Sequence, residues 1–266
     1  MSVLHIENLT AGYGKRRILE NVSLRADAGE IAAILGENGS GKTTLLRAVQ
    51  GIIPLQSGTV TVNGTDLSRL NTKKRAALVT MMPQDHPAVA GLSGMDFIET
   101  AFYPSRGLFG NPTAADREKI RTSAESFGIP HLLGRDLSEM SAGERQMISL
   151  LRAAVQDTPV LLLDEPSSAL DFNHTGALFA LLKRLAAHGK TILIVLHDPT
   201  LALRHASKIV RMGHGTAEDV LDNRSPDYEK TEASLRMLYP ALRVNRDPLF
   251  CYTETSSCKE TNYADH

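Results

Sequence analysis

Eight residues constrain this 266-residue chain more than any other feature: Gly36-Glu37-Asn38-Gly39-Ser40-Gly41-Lys42-Thr43. They fit the pattern G-x-x-x-x-G-K-[ST]. They also stand where that pattern needs to stand, after the apolar run Ile31–Leu35 and ahead of the helix-like stretch Thr43–Val49. Glycines at this spacing let the backbone turn tightly enough to aim several N–H groups into one concavity. A helix opening near Lys42 adds the positive end of its dipole. Such a loop is a cradle for phosphate groups. Lys42 is placed to reach the terminal phosphates of a nucleoside triphosphate, and the Thr43 hydroxyl to hold Mg2+.

The surrounding pattern sets the fold class. Ile31–Leu35, Ala77–Met82, Val160–Leu163 and Thr191–Leu196 are nearly continuous apolar runs, as expected of parallel strands covered on both faces. Helical segments such as Gly176–Ala187 lie between them. The reading is an α/β phosphate-loop core with a mainly parallel sheet. The first sixty residues differ. Ile18, Val22 and Leu24 fall on one face of an alternating stretch, and Thr59–Val62 runs into a turn at Asn63-Gly64. That predicts an N-terminal antiparallel β subdomain.

From about 85 to 158 the rhythm breaks. Pro87, Pro104, Pro112 and Pro130 punctuate helix-like segments at Asp96–Phe102, Ala114–Phe127 and Ala142–Val155, which predicts a helical subdomain inserted in the core. The expected division is one domain over 1–220 and a C-terminal extension over 221–266. The extension is polar, carries Pro226, Pro240 and Pro248, and reads as either a loosely packed extension or a small regulatory piece.

A second chemical feature lies at the end of the Val160–Leu163 run, where Asp164 and Glu165 follow directly. Strand ends beside a phosphate loop are where open α/β sheets bind ligands. Asp164 is placed to approach the metal, and Glu165 to orient or deprotonate an attacking water. Composition narrows the remaining classes. Lys plus Arg is 29 against 30 for Asp plus Glu, a net charge of −1, which argues against a strongly basic nucleic-acid binder. The two cysteines, Cys251 and Cys258, make neither a disulfide framework nor a metal cluster and fit a reducing compartment. No apolar run approaches the roughly 20 residues that cross a bilayer, and the first residues lack the pattern of a secretory signal.

The segment Met140-Ser141-Ala142-Gly143-Glu144-Arg145-Gln146 resembles the signature sequence of ATP-binding cassette (ABC) ATPases, commonly L-S-G-G-Q, with Met140 and Ala142 in place of the usual Leu and Gly. Ser141 and Glu144 are also spaced as a capping box, so a helix should start there. Tyr13 resembles the family's aromatic adenine contact, Gln84 its Q-loop, Ser168–Asp171 its D-loop and His197 its switch histidine. The motifs occur in the family's order over residues 1–215.

The resemblance implies ATP hydrolysis with Mg2+. It implies Glu165, His197 and Gln84 as catalytic residues and Thr43, Gln84 and Asp164 around the metal. The nucleotide would lie on Tyr13, Gly36, Asn38, Gly39, Ser40, Gly41, Lys42, Thr43 and Thr44. Ser141, Gly143 and Glu144 would close over nucleotide bound by a second copy, in a head-to-tail dimer.

Finer matches, at Tyr103–Gly110 with Asp116-Arg117-Glu118, at Asp164–Asp171 and at Leu201–Arg204, resemble the ATPases that serve iron-siderophore, heme and cobalamin uptake. They imply a prokaryotic importer with separate membrane permease subunits and an extracytoplasmic binding protein, this chain lying on the cytoplasmic face and touching no nucleic acid. Relatives serving molybdate or tungstate are the alternative cargo reading. Soluble ABC ATPases of repair or translation differ in carrying two cassettes or a coiled-coil insertion. A GTPase would need an N-K-x-D base-reading motif, which the chain lacks.

Overall fold

The computed structural model describes residues 2–85, 88–106, 111–246 and 249–253. In chain order, β1 (Ser2–Tyr13) and β2 (Arg16–Asp27) lead to β3 (Ile31–Gly36), α1 (Lys42–Gln50), β4 (Leu55–Val62), β5 (Thr65–Asp66), α2 (Thr72–Ala76) and β6 (Val79–Met82). Helices α3 (Gly94–Glu99), α4 (Tyr103–Arg106), α5 (Ala114–Ser126) and α6 (Ala142–Val155) follow. The core resumes with β7 (Val160–Asp164), α7 (Phe172–Ala187), β8 (Thr191–Val195), α8 (Pro199–His205), β9 (Lys208–Gly213) and β10 (Thr216–Asp222). Helix α9 (Tyr228–Arg236) and a hairpin of β11 (Leu242–Arg246) and β12 (Leu249–Thr253) complete it.

Six strands form the central sheet in the order β10-β9-β3-β8-β7-β6. All pairs are parallel except β9–β10. Strands β3, β6, β7 and β8 are buried along their whole length, so their apolar runs split between two faces. Ala32, Ile34, Leu162, Leu193 and Val195 face α1 and the N-terminal sheet. Ile31, Ala33, Leu35, Leu161, Leu163 and Ile194 face α7 and α8. A doubly covered parallel sheet has this alternation hidden inside a continuous apolar run.

The antiparallel sheet runs β2-β1-β4-β5, closed by a turn in which Asn63 and Gly64 both take positive φ (49° and 74°), as a tight hairpin requires. The expected face of β2 needs one correction. Leu19, Val22, Leu24 and Ala26 are buried, while Ile18 is only partly so. Between Leu19 and Val22 the register with β1 shifts and Asn21 adopts φ 53°. The extra residue of a bulge moves the buried parity by one.

The helical insertion has its own core of Ile98, Phe102, Ile120, Leu132, Leu137 and Met147. Helix α6 belongs to both bodies: Met147, Ile148, Leu151 and Val155 pack in the insertion, and Leu150 and Ala153 in the central core. The run expected as strand from Ala77 starts at Val79, because Ala77 caps α2 and Leu78 closes its turn. The described part of the C-terminal segment, up to Thr253, forms α9 and a hairpin. Leu235 of α9 and Leu242 of β11 are buried in the central core, and position 220 falls inside β10. Residues 107–110 of the importer-like stretch and Cys258 lie outside the described residues.

Candidate functional site

The phosphate loop is built by three backbone constraints. At Gly36 an added Cβ would sit 2.4 Å from the Met212 carbonyl oxygen, so β3 ends pressed against β9. Gly39 and Gly41 take φ of 82° and 100°, a region costly for any residue with a Cβ. Gly41 is also the N-cap of α1. It offers no side-chain acceptor to the first-turn amides, and no acid stands in that turn. Those amides are left for an anion. The Ser40 hydroxyl is buried within the loop and has no hydrogen-bond partner. An orphaned donor beside uncapped amides fits a polyanion, since buried polar groups normally find partners.

Lys42 is 6% exposed and donates from Nζ to the carbonyl oxygens of Gly36 (2.7 Å) and Glu37 (2.9 Å). Burial pushes its pKa below the usual lysine value, opposed by the carboxylates of Glu165 and Asp164. The next residue, Thr43, donates from Oγ1 to Asp164 Oδ1 at 3.1 Å. Asp164 is 1% exposed. Burial raises its carboxyl above the ordinary range and Glu165 adds to that, while Thr43, Arg47 and Lys42 act the other way. A hydroxyl and a carboxylate at this spacing suit Mg2+ completed by waters and phosphate oxygens. Among the described residues no group of three or more His, Cys, Asp or Glu forms an all-protein metal cage.

Glu165 is the centre of the site. It ends the β7 turn with φ 52°, a conformation rare for a residue with a side chain. Its Oε2 accepts from Gln84 Nε2 at 2.6 Å, and its Oε1 lies 2.5 Å from His197 Nε2. These groups come from the loops after β6, β7 and β8, three adjacent parallel strands whose ends converge on one edge.

A cleft of about 490 Å³ joins the parts, lined by Tyr13, Arg16, Ile18, Asn38, Gly39, Gly41, Lys42, Thr43, Thr44 and Glu165. Tyr13 stands on the rim, 51% exposed, its hydroxyl accepting from Arg47 Nη1 at 3.3 Å. A flat aromatic ring beside a phosphate cradle can stack a base.

Ser141, Gly143 and Glu144 do not line this cleft. They form the N-terminus of α6: Glu144 N–H donates to Ser141 Oγ (3.2 Å) and Ser141 N–H to Glu144 Oε2 (2.7 Å). Arg135 fixes the carboxylate from behind at 2.5 Å. The segment sits against its own D-loop, with a Cβ at Gly143 reaching 3.1 Å from Ala169 O.

Two participants escape a reading of motifs. Gln146, 1% exposed, donates to the Glu165 carbonyl (3.2 Å) and accepts from the Ala169 N–H (3.3 Å); it closes the signature-like segment, but nothing in that segment gives it a role. Tyr239 donates from its hydroxyl to the His197 carbonyl at 2.8 Å, across 42 residues, and nothing local announces it.

Comparison with known proteins agrees with this geometry. The family model described as ABC transporter matches residues 19–168. An ABC transporter ATP-binding protein of Methanocaldococcus jannaschii, MJ0873, is 37% identical over 78% of this chain and 72% of its own length. The iron(3+)-hydroxamate import ATP-binding protein FhuC of Bacillus subtilis is 33% identical over 81% of each chain. Among solved structures, the dimeric cassette MJ0796 superposes with a TM-score of 0.74 at 24% identity, covering 84% of this chain and 99% of that one; at that identity it speaks for the fold.

Proposed function

Because the chain belongs to the ABC transporter family, we propose that it is the ATP-hydrolysing subunit of an importer, powering uptake of a metal chelate of the iron-siderophore, heme or cobalamin class through separate permease subunits. The name of the FhuC relative supports the cargo class. Among the described residues no helix is long and apolar enough to cross a membrane; the import ATP-binding relatives support a place on the cytoplasmic face, held by the permease. An extracytoplasmic binding protein would deliver cargo on the other side.

One observation carries the hydrolytic reading: Glu165, in a strained turn beside Lys42 and Thr43, has its two oxygens held by Gln84 and His197. In the proposed cycle the Tyr13 ring stacks the adenine. The amides from Gly39 to Thr44 and the Lys42 ammonium take the β- and γ-phosphates, and the unpartnered Ser40 hydroxyl gains an acceptor. Thr43 Oγ1, Asp164 and Gln84 would hold Mg2+. The metal, when bound, neutralises charge developing on the phosphate oxygens.

Glu165 accepts the proton of the attacking water at a carboxylate oxygen. His197, released from Glu165, donates its ring N–H to the γ-phosphate. A second copy brings Ser141 and the open amides of its α6 over the same phosphate, completing a site that neither copy holds alone. In this reading residues 1–220 are the ATPase domain and 221–266 a C-terminal extension, with β10 running on to Asp222.

Glu165→Gln is the test. It keeps the hydrogen-bonding shape of the side chain and removes the proton acceptor. ATP binding should persist, turnover should fall by at least about 100-fold, and ATP-loaded dimer should accumulate on a sizing column. Wild-type turnover by this variant would remove Glu165 from the role.

A further inference from the structure

We propose that Tyr239 is a positioning residue for ATP hydrolysis, holding the His197 peptide so that the imidazole points at Glu165 and the γ-phosphate; this rests on the reading of His197 given above.

The geometry is built from both ends. His197 lies in the short link between β8 and α8. Upstream, Leu196 N–H donates to Ile34 O (3.1 Å), which pins the link to the central sheet. Downstream, Asp198 caps α8 through Thr200 N–H (2.7 Å) with Pro199 at the first helical position. Between these anchors the Tyr239 hydroxyl donates to the His197 carbonyl at 2.8 Å. Holding that carbonyl fixes the course of the link at the His197 Cα, and with it the point from which the imidazole, 47% exposed, reaches Glu165.

Tyr239 is itself held rigidly. Its N–H donates to Leu235 O (2.9 Å) and its carbonyl accepts from Leu242 N–H (2.9 Å). Leu235 and Leu242 are 0% and 2% exposed, buried beneath the sheet. Cys251 N–H donates to Thr200 Oγ1 (3.1 Å), so β12 clasps the start of α8 as well. Burial raises the pKa of the Tyr239 phenol above its ordinary value, so it stays a donor. The link between α9 and β11 therefore reaches across to the backbone of the switch histidine.

The test uses the full chain with ATP and Mg2+, in four forms: wild type, Tyr239→Phe, His197→Ala and the double variant. Tyr239→Phe deletes one oxygen and leaves the ring. Expected are a kcat lowered about fivefold, the worth of one neutral hydrogen bond, an unchanged KM for ATP, and no further loss when added to His197→Ala. A merely structural tyrosine would change the melting temperature and lower both backgrounds alike; that result overturns the proposal. Wild-type kcat in Tyr239→Phe, with His197→Ala inactive, overturns it too and leaves the reading of His197 standing. Wild-type turnover in His197→Ala overturns that reading and this one with it.

Discussion

Replacing Gln146 by leucine isolates what its amide does. The two side chains have similar length, so the loss is polar rather than volumetric, and no large cavity confuses the result. In the native chain the amide serves the Glu165 carbonyl at 3.2 Å and the Ala169 N–H at 3.3 Å. Ala169 is exposed, so its amide can turn to water at small cost. The Glu165 carbonyl also accepts from the Ser168 N–H at 3.2 Å, so the variant removes one of its two hydrogen bonds, a loss of about 0.5–1.5 kcal/mol.

Glu165 also carries a strained φ of 52°, worth about 1–3 kcal/mol, and the Gln146 bond is one of the restraints that keep it there. The unfolding free energy should drop by about 0.5–1.5 kcal/mol, read as a lower urea midpoint at constant slope. Relief of the strained turn sets the smaller end of that range. Turnover should fall with ATP affinity retained, because Glu165, the proposed base, loses its aim while the phosphate loop is untouched. A leucine variant with native stability and native kcat would refute the argument, showing that the turn after β7 holds its shape without the amide.

Other outcomes follow from single contacts. Gly41→Ala places a Cβ 2.8 Å from Leu19 Cδ2 at φ 100°; stability should fall by about 1–3 kcal/mol and ATP affinity about tenfold, and titration showing native affinity would contradict the cradle as described. His205 stacks on Phe179 at 4.2 Å. Its Nδ1 is buried without a partner, and burial, helped by Lys183 and Arg204, pushes its pKa from 6.5 down to about 4. The unfolded chain then takes up a proton that the native chain refuses. The stabilisation is present above pH 6.5 and is lost as pH falls toward 4, by at most about 3 kcal/mol. Between pH 7.5 and 4.5, wild type should lose about 2–3 kcal/mol more than His205→Phe in urea titrations; equal losses would contradict this.

What could be read in the residues beforehand was whatever is local. The loop from Gly36 to Thr43 declares its strand, turn and helix within a dozen positions. The capping box at Ser141 and Glu144 is a spacing of three, and α6 begins and ends where its pattern says. Asp164 and Glu165 follow their strand directly. What could not be read depends on distant chain. The parity of β2 changes at Asn21, and a bulge leaves no mark in hydrophobicity. Gln146 looks like a polar intrusion on a buried helix face until the β7 turn is laid against it. The described part of the polar tail after β10 folds because a few apolar residues, Leu235 and Leu242 among them, join a cluster that includes α7 and α8, which no window of the tail contains.

Helix α6 has a mechanical consequence. Its residues alternate between two hydrophobic bodies, so sliding it along its length would strip apolar surface from both at once. Turning it about its own line disturbs fewer contacts. It therefore works as an axle: the inserted lobe can pivot on it but not drift, and any tilt is delivered to the tip at Ser141, the point that a facing subunit would meet.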